Sequence, residues 1–487
     1  MTPEQFRQHG YQVIDWLADY IENVEEYPVL SRVRPGAIRS RLPDAAPEVG
    51  EPFELVLRDL DQIILPGITH WQSPGFFAYF PSNASPASIL GDLVSSGLGV
   101  QGMLWSTSPA CTELEMHVLD WLVDLMGLPA AFKSDGLGGG VIQDTASSST
   151  LSTIVAARAR TEKGGRRREK GENGKRNAKS ASRDSELVAY ASREAHSSVE
   201  KGIRIAGIPR ENLRLVDVDR ELAMDADALA RVMTDDVDAG RVPFFVCATI
   251  GTTGTTAIDP VRRIGELARE HGAWFHVDAA YAGSAAVCPE LRWTHDGVEL
   301  ADSYTFNPHK WLLTNFDCNA LYVQDRTSLI DAFSITPEYL RNAASETGDV
   351  IDYRDWHVQL GRRFRALKLW FVLRHYGAEG LRAHIRKDVE LAQYFAGLVA
   401  ASDDYELAAP ATFGLVCFRH VEGDDTTRAV MDRINDSGRA YLTHTVVDGR
   451  VGLRLAIGGV RTERRHVDEV WDLMGSGLDS CIEPEDD

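Results

Sequence analysis

The sequence predicts an α/β protein with a large domain built on a mostly parallel sheet, followed by a small C-terminal α/β domain. Three observations predict it. From about 187 to 325, short apolar runs alternate with amphipathic stretches: ELVAYAS, NLRLVDVD, PFFVCATI, AWFHVDAA and DSYTFNPH read as strands, and PVRRIGELAREHG reads as the helix between two of them. After a helical region around 357 to 400, FGLVCFR and VGLRLAI alternate as half-buried strands. A chain of 487 residues, 44% hydrophobic, is also long enough for one large core and an appended domain.

The N-terminal element opens Met1-Thr2-Pro3-Glu4-Gln5, in which Thr2 caps, Pro3 occupies the first turn and Gln5 closes a capping box. Phe6, Val13, Ile14, Leu17, Ile21 and Val24 follow at helical spacing, which is an amphipathic helix and not a signal peptide. Residues 28 to 52, rich in proline and arginine, read as an extended arm. Between 162 and 185 the chain is almost free of apolar residues and is expected to form an exposed, mobile insertion. A nucleic-acid-binding arm is the other reading of that basic segment, but no aromatic residues are interleaved.

The formal net charge of -21 argues against nucleic-acid and anionic-membrane partners. No apolar run approaches the ~20 residues of a membrane-spanning helix, so a cytoplasmic protein is expected. The six cysteines show no closely spaced pair, which points to reduced structural thiols and no metal site.

In an open α/β sheet, ligands collect beyond the carboxyl ends of the strands. Four such places are unusual. In GLGGGVIQDTASSSTLSTIVAARAR, 136 to 160, glycines and small hydroxyl residues lead into a helix whose N-terminus suits a phosphate, or is simply capped. PFFVCATIGTTGTT and AWFHVDAAYAG end two strands joined by one helix, so Thr253 and Asp278 should emerge at one edge. Asp278 there either pairs with a ligand cation or caps the next turn. In DSYTFNPHKWLLTNFDCNA, Lys310 follows a strand end beside Trp311, Leu312 and Leu313. Desolvation would make it an amine nucleophile, and a snorkelling surface lysine is the plainer alternative. Lysine, aspartate and a hydroxyl-rich cup on one sheet match the aldehyde carbon, ring nitrogen and phosphate of pyridoxal phosphate.

HWQSPGFFAYFPSNASPAS at 70 to 88, SPACTELE at 108 to 115, EAHSSVEKG at 194 to 202, HVDAAYAGSA at 276 to 285, FNPHKWLL at 306 to 313 and LGRRFRALKLWFVLRHYG at 360 to 377 closely resemble the aromatic-L-amino-acid decarboxylase family. This group includes DOPA, tryptophan, tyrosine and histidine decarboxylases. The resemblance implies the aspartate-aminotransferase-like (type I) fold of pyridoxal-phosphate-dependent transferases and a homodimer with active sites at the subunit interface. The implied divisions are an N-terminal arm over 1–85 that packs on the partner subunit, a large cofactor-binding domain over 86–375 and a small domain over 376–487.

The same resemblance implies the residue roles. Lys310 matches the Schiff-base lysine, Asp278 the partner of the pyridine nitrogen and His196 the residue stacked on the ring, with Ala280 on the other face. Ala146 and Ser147 match phosphate binders, and Thr253 and Asn307 match further cofactor contacts. His309 is a contact to cofactor or substrate. Tyr339, in SITPEYLRNAASETGDVID, matches the tyrosine that returns a proton after carbon dioxide leaves. Trp71, Phe80, Pro81, Ser82, Gln101, Met103 and Gly361 fall in the substrate-lining positions, with His196. The expected reaction converts an aromatic L-amino acid to its arylalkylamine.

Aldehyde-forming relatives commonly carry Phe in place of this tyrosine or lack the stacked histidine, and this chain does neither. An aromatic acetaldehyde synthase and an inactive binding protein of the same fold remain the competing readings. An aminotransferase is disfavoured, because nothing marks a second carboxylate site. Gly361 resembles the small residue of relatives that act on bulky catechol or indole rings. Asp144, Gln101 and Met103 depart from the family's pattern.

Overall fold

A computed structural model describes residues 1–172, 186–335 and 350–475. These form two compact units: one of Met1–Pro81, Leu391–Ala408 and the segment from Val416 onward, the other of Ser82–Glu390 and Ala409–Leu415. Among the described residues no helix is long and apolar enough to cross a membrane.

The larger unit is organised on a seven-stranded sheet: β1 (Gly139–Gln143), β2 (Leu187–Ser192), β3 (Leu213–Val216), β4 (Val242–Thr249), β5 (Trp274–Asp278), β6 (Ser303–Phe306) and β7 (Asn319–Val323). Their spatial order is β1-β7-β6-β5-β4-β2-β3. β3, β2, β4, β5 and β6 are parallel, while β7 runs antiparallel to both β6 and β1. β1 therefore points the same way as β6. Strands covered on both faces read as continuous apolar runs rather than alternating ones. That is why LVAYAS is buried at every position. The reversal at β7 is a departure from a wholly parallel sheet, and it brings the first residue of β7 to the edge where the other strands end.

The helix Val261–Glu270 lies between β4 and β5 as its apolar spacing predicts, with Ile264, Leu267 and Ala268 buried. The helix after β1 runs over Ala146–Glu172, and so takes in the first eleven residues of the segment read as a mobile insertion. Ion pairs hold the start of the extension: Arg158 reaches Glu162 at 3.1 Å and Lys163 reaches Asp331 at 2.6 Å. Residues 173–185 lie outside the described residues.

In the smaller unit, the helix Pro3–Asn23 begins with the expected capping box, Thr2 Oγ1 accepting from Gln5 N at 3.2 Å and Gln5 Oε1 from Thr2 N at 2.8 Å. The second sheet contains β8 (Tyr405–Leu407), β9 (Leu415–His420), β10 (Thr443–Val447) and β11 (Arg450–Ala456), in the order β10-β11-β9-β8. Asp448 and Gly449, with φ of 52° and 76°, make the tight turn between β10 and β11. The long helix Arg365–Ala400 starts eight residues later than the sequence suggested and bends at Gly377, whose φ is 62°.

Candidate active site

Because β1, β2, β4, β5 and β6 all point one way, the residues that follow them share one edge of the sheet. Register makes this concrete: Thr249 pairs with Asp278, Asp278 with Thr305, and Gln143 with Asn319. His196 follows β2, Thr253 follows β4, Asp278 ends β5, Asn307 to Lys310 follow β6, and Ala146 and Ser147 follow β1.

Asp278 is almost wholly buried, and its Oδ1 accepts from Ala280 N at 2.9 Å. Among the described residues no lysine, arginine or histidine forms an ion pair with it. A buried carboxylate of this kind is completed by a cation.

His196 has its Nδ1 engaged by Ser198, with the backbone N–H at 3.1 Å and Oγ at 2.9 Å. An amide N–H can only donate, so Nδ1 is the unprotonated nitrogen and the ring's proton sits on Nε2. Burial lowers its pKa; Lys310 also lowers it, while Asp278 pulls the other way, so the three groups share one electrostatic neighbourhood.

Lys310 sits in the short helix Pro308–Trp311, its backbone N–H donating to Asn307 O at 3.0 Å and its carbonyl accepting from Asn83 Nδ2. Trp311 is anchored by Nε1 donating to Asp388 Oδ2 at 2.9 Å and by stacking on Tyr281 at 4.7 Å. Leu312 and Leu313 are buried, and Lys310 between them and β6 is half-buried. His309 accepts the Cys318 N–H on Nδ1 at 2.9 Å, and burial pushes its pKa down to about 3, so its ring is neutral.

At the N-terminus of the Ala146–Glu172 helix, the amides of Ser148 and Ser149 turn back to Thr145 O at 3.1 and 3.2 Å. The amides of Ala146 and Ser147 have no intrahelical acceptor and remain donors for an anion. Asp144 is engaged locally, its Oδ1 accepting from Thr145 N at 2.6 Å.

Asn319, which the sequence reading did not single out, ties these parts together. Its Nδ2 donates to Asn307 Oδ1 at 2.7 Å and Phe306 O at 3.0 Å, and its Oδ1 accepts from Ser149 Oγ and from Thr305 Oγ1. A polar residue opening an otherwise apolar strand, NALYV, was the available signal. Asp259 was also missed: its two carboxylate oxygens accept from Met224 N and Thr249 N at 2.7 Å, fixing the end of β4.

The residues expected to line the substrate fall into two further groups. In the larger unit, Gln101 Oε1 accepts from Arg362 N at 3.2 Å, and a Cβ on Gly361 would lie 3.3 Å from that oxygen. Met103 O accepts from Arg354 N at 3.1 Å, and Ser82 is half-buried. In the smaller unit, Trp71 stacks on Tyr79 at 5.6 Å, Pro81 packs against Gly458, and the Arg454 guanidinium lies 5.2 Å over the Phe80 ring. Tyr339 lies outside the described residues.

Helix-terminal amides for a phosphate, a buried carboxylate lacking a cation for a protonated ring nitrogen, and a strand-end lysine for a carbonyl carbon fit pyridoxal phosphate. The fold and site together define a type I pyridoxal-phosphate-dependent enzyme.

More narrowly, the chain belongs to the pyridoxal-dependent decarboxylase family, whose conserved domain matches residues 35–421. It is a carboxy-lyase with pyridoxal phosphate as cofactor. It is 47% identical to a phenylacetaldehyde synthase of Arabidopsis thaliana over 97% of this chain and 96% of that one. It is 45% identical to tryptophan decarboxylase 2 of Oryza sativa subsp. japonica, over 97% and 94%. Among solved structures, Oryza sativa TDC with PLP and tryptamine superposes with a TM-score of 0.93 at 42% identity, covering 97% of each chain. Catharanthus roseus tryptophan decarboxylase in complex with L-tryptophan gives 0.88 at 42%, covering 97% and 98%.

Proposed function

We propose that the protein decarboxylates an aromatic L-amino acid to the corresponding arylalkylamine and carbon dioxide. The observation that carries this reading is the grouping of His196 with Asp278 and Lys310 at one sheet edge.

When bound, pyridoxal phosphate supplies an electron-accepting ring that stabilises negative charge at the substrate α-carbon as the carboxylate departs. Asp278 would hold a proton on the ring nitrogen, and Lys310 Nζ would hold the carbonyl carbon. The amides of Ala146 and Ser147 would take the phosphate, with Thr253 and Asn307 as neighbouring contacts. His196, oriented by Ser198, would present one ring face to the cofactor and Ala280 would pack opposite. His309, neutral and held by Cys318, would contact cofactor or substrate through its remaining nitrogen.

Tyr339 would deliver the proton to the α-carbon, which makes the amine rather than the aldehyde the expected product. Within the larger unit, Ser82, Met103 and Gly361 would line the ring pocket, with Gln101 at its polar end. A homodimer accounts for two exposed apolar faces: Phe6 and Tyr11 on the helix Pro3–Asn23 are each 65% exposed, and Leu93 and Leu98 on the helix Pro86–Leu98 are 51% and 59% exposed.

The competing aldehyde-forming reaction is favoured by the likeness to phenylacetaldehyde synthases. One experiment separates the two. Purified enzyme is offered Trp, 5-hydroxytryptophan, DOPA, Tyr, Phe, His and Glu, and amine, aldehyde, ammonia and peroxide are scored separately. Aromatic amines with neither ammonia nor peroxide are expected; aldehyde as the main product, or glutamate as the sole substrate, overturns the proposal.

A further inference from the structure

β1 is an edge strand, and the sheet saturates only one side of its backbone. The strand is buried at every position, so the outward-facing groups cannot rely on water. They are taken by side chains. Tyr353 Oη donates to Gly140 O at 3.0 Å. Glu115 Oε1 accepts from Ile142 N at 2.7 Å, and Arg362 Nη2 donates to Ile142 O at 2.9 Å. Glu115 and Arg362 are themselves joined at 2.5 Å, with side chains 0% and 2% exposed.

A buried ion pair is weak evidence of stabilisation, because desolvating both charges offsets much of their attraction. This pair is not arranged for maximal stability either, since Glu115 Oε2 and Arg362 Nε have no hydrogen-bond partner. What it does, and an apolar pair could not, is hold both backbone groups of Ile142, four residues before Ala146. The same arginine reaches a second segment: its Nη1 donates to Gly102 O at 3.2 Å, and its backbone N–H to Gln101 Oε1 at 3.2 Å.

We propose that Glu115 and Arg362 are a positioning pair, closing the free edge of β1 to set the donors of the phosphate cup and holding the 101–102 segment in register with it. Neither residue touches the reacting atoms. The cup half depends only on the cofactor site, whereas the 101–102 half rests on the substrate reading given above.

The test uses full-length protein stripped of cofactor and titrated with pyridoxal phosphate, followed by absorbance and protein fluorescence, alongside thermal melts. Glu115→Gln keeps an acceptor for Ile142 N but removes the charge, and Arg362→Lys keeps the charge but loses the fork. Each should weaken cofactor binding about tenfold or more. The control is Asp236→Asn, which breaks a 2.6 Å pair with Arg214 of β3, at the opposite edge of the sheet. It should lower the melting temperature without moving cofactor affinity. Tyr353→Phe removes one hydroxyl from β1 alone and should weaken cofactor binding about threefold while leaving substrate KM unchanged. Arg362→Lys should also raise KM. If Arg362→Lys does not fold, Glu115→Gln and Tyr353→Phe decide. Wild-type cofactor affinity in those two, or losses that merely track melting temperature as in the control, overturns the proposal. A wild-type enzyme that binds cofactor but turns over no aromatic amino acid refutes the substrate reading and leaves the cup half standing.

Discussion

Asn319 Nδ2 donates to Asn307 Oδ1 at 2.7 Å, linking the first residue of an antiparallel strand to the residue three before Lys310. Since Asn319 also receives Ser149 Oγ, one side chain spans the phosphate cup and the lysine segment. Asn319→Ala leaves buried partners unsatisfied, which costs about 1–3 kcal/mol each. The expected result is weaker cofactor retention, measured as faster loss of pyridoxal phosphate on dialysis, together with a lower melting temperature. Asn319→Asp sets a buried carboxylate oxygen against Asn307 Oδ1 and Phe306 O, both acceptors, and should be at least as damaging as the alanine variant.

Asp278→Asn tests the buried carboxylate. The amide preserves volume and can still accept from Ala280 N, but it cannot stabilise a proton on the ring nitrogen. Decarboxylation should fall by about two orders of magnitude or more, the range typical of losing a positioned proton-holding group. Cofactor content, measured after alkaline release, should fall much less. Near-wild-type turnover would show that the carboxylate only caps the following turn.

Much of this edge was legible in the sequence because local chemistry and strand endings coincide there. Lys310, Asp278 and the hydroxyl-rich segment after β1 each follow an apolar run, and period alone locates such runs. The roles of Asn319 and Glu115 were not legible, beyond the single polar position that opens NALYV. Asn319 opens a strand whose direction is set by long-range pairing, and Glu115 reads as one polar residue in the helix Pro109–Met126, with nothing local to say that it faces Ile142. The start of the helix at Arg365 was hidden for a related reason. Residues 357–364 carry helix-compatible side chains, but the Gly361–Arg362 backbone is committed to Gln101 and Gly102.

Acid should destabilise the fold. Burial lowers the pKa of His276 to about 4 and of His309 and His357 to about 3, so all three are neutral in the folded state. Between those values and the unfolded value near 6.5, the unfolded chain binds more protons, and stability falls as pH falls through that window. Asp259 acts in the opposite sense: burial raises its pKa to about 7, so the folded state holds an extra proton down to about pH 4. With His295, which burial also lowers to about 4, four histidines stand against one carboxyl and leave a net loss toward acid, about 1.4 kcal/mol per pH unit for each unmatched proton. Urea midpoints should be lower at pH 5.5 than at 7.5, and His276→Gln should reduce the difference. Equal midpoints would contradict the assignment of neutral buried rings.

Gln101 and Gly361 give the sharpest prediction about substrate. The Arg362 N–H can only donate, so the Gln101 amide oxygen faces it and the NH2 group is the end left to a ligand. A donor suits a ring oxygen, as in a phenol or 5-hydroxyindole, better than an indole N–H. Gln101→Ile should therefore lower kcat/KM for DOPA and 5-hydroxytryptophan relative to phenylalanine and tryptophan, by about fivefold for one hydrogen bond. Gly361→Ser acts on the same amide: its Cβ would sit 3.3 Å from Gln101 Oε1, placing a hydroxyl where it competes with Arg362 N for that oxygen. KM for the bulkiest rings should rise in Gly361→Ser, and the Gln101→Ala, Gly361→Ser double variant should recover part of the loss. Additive effects in the double variant would mean that the two residues act on the substrate separately rather than through their mutual contact.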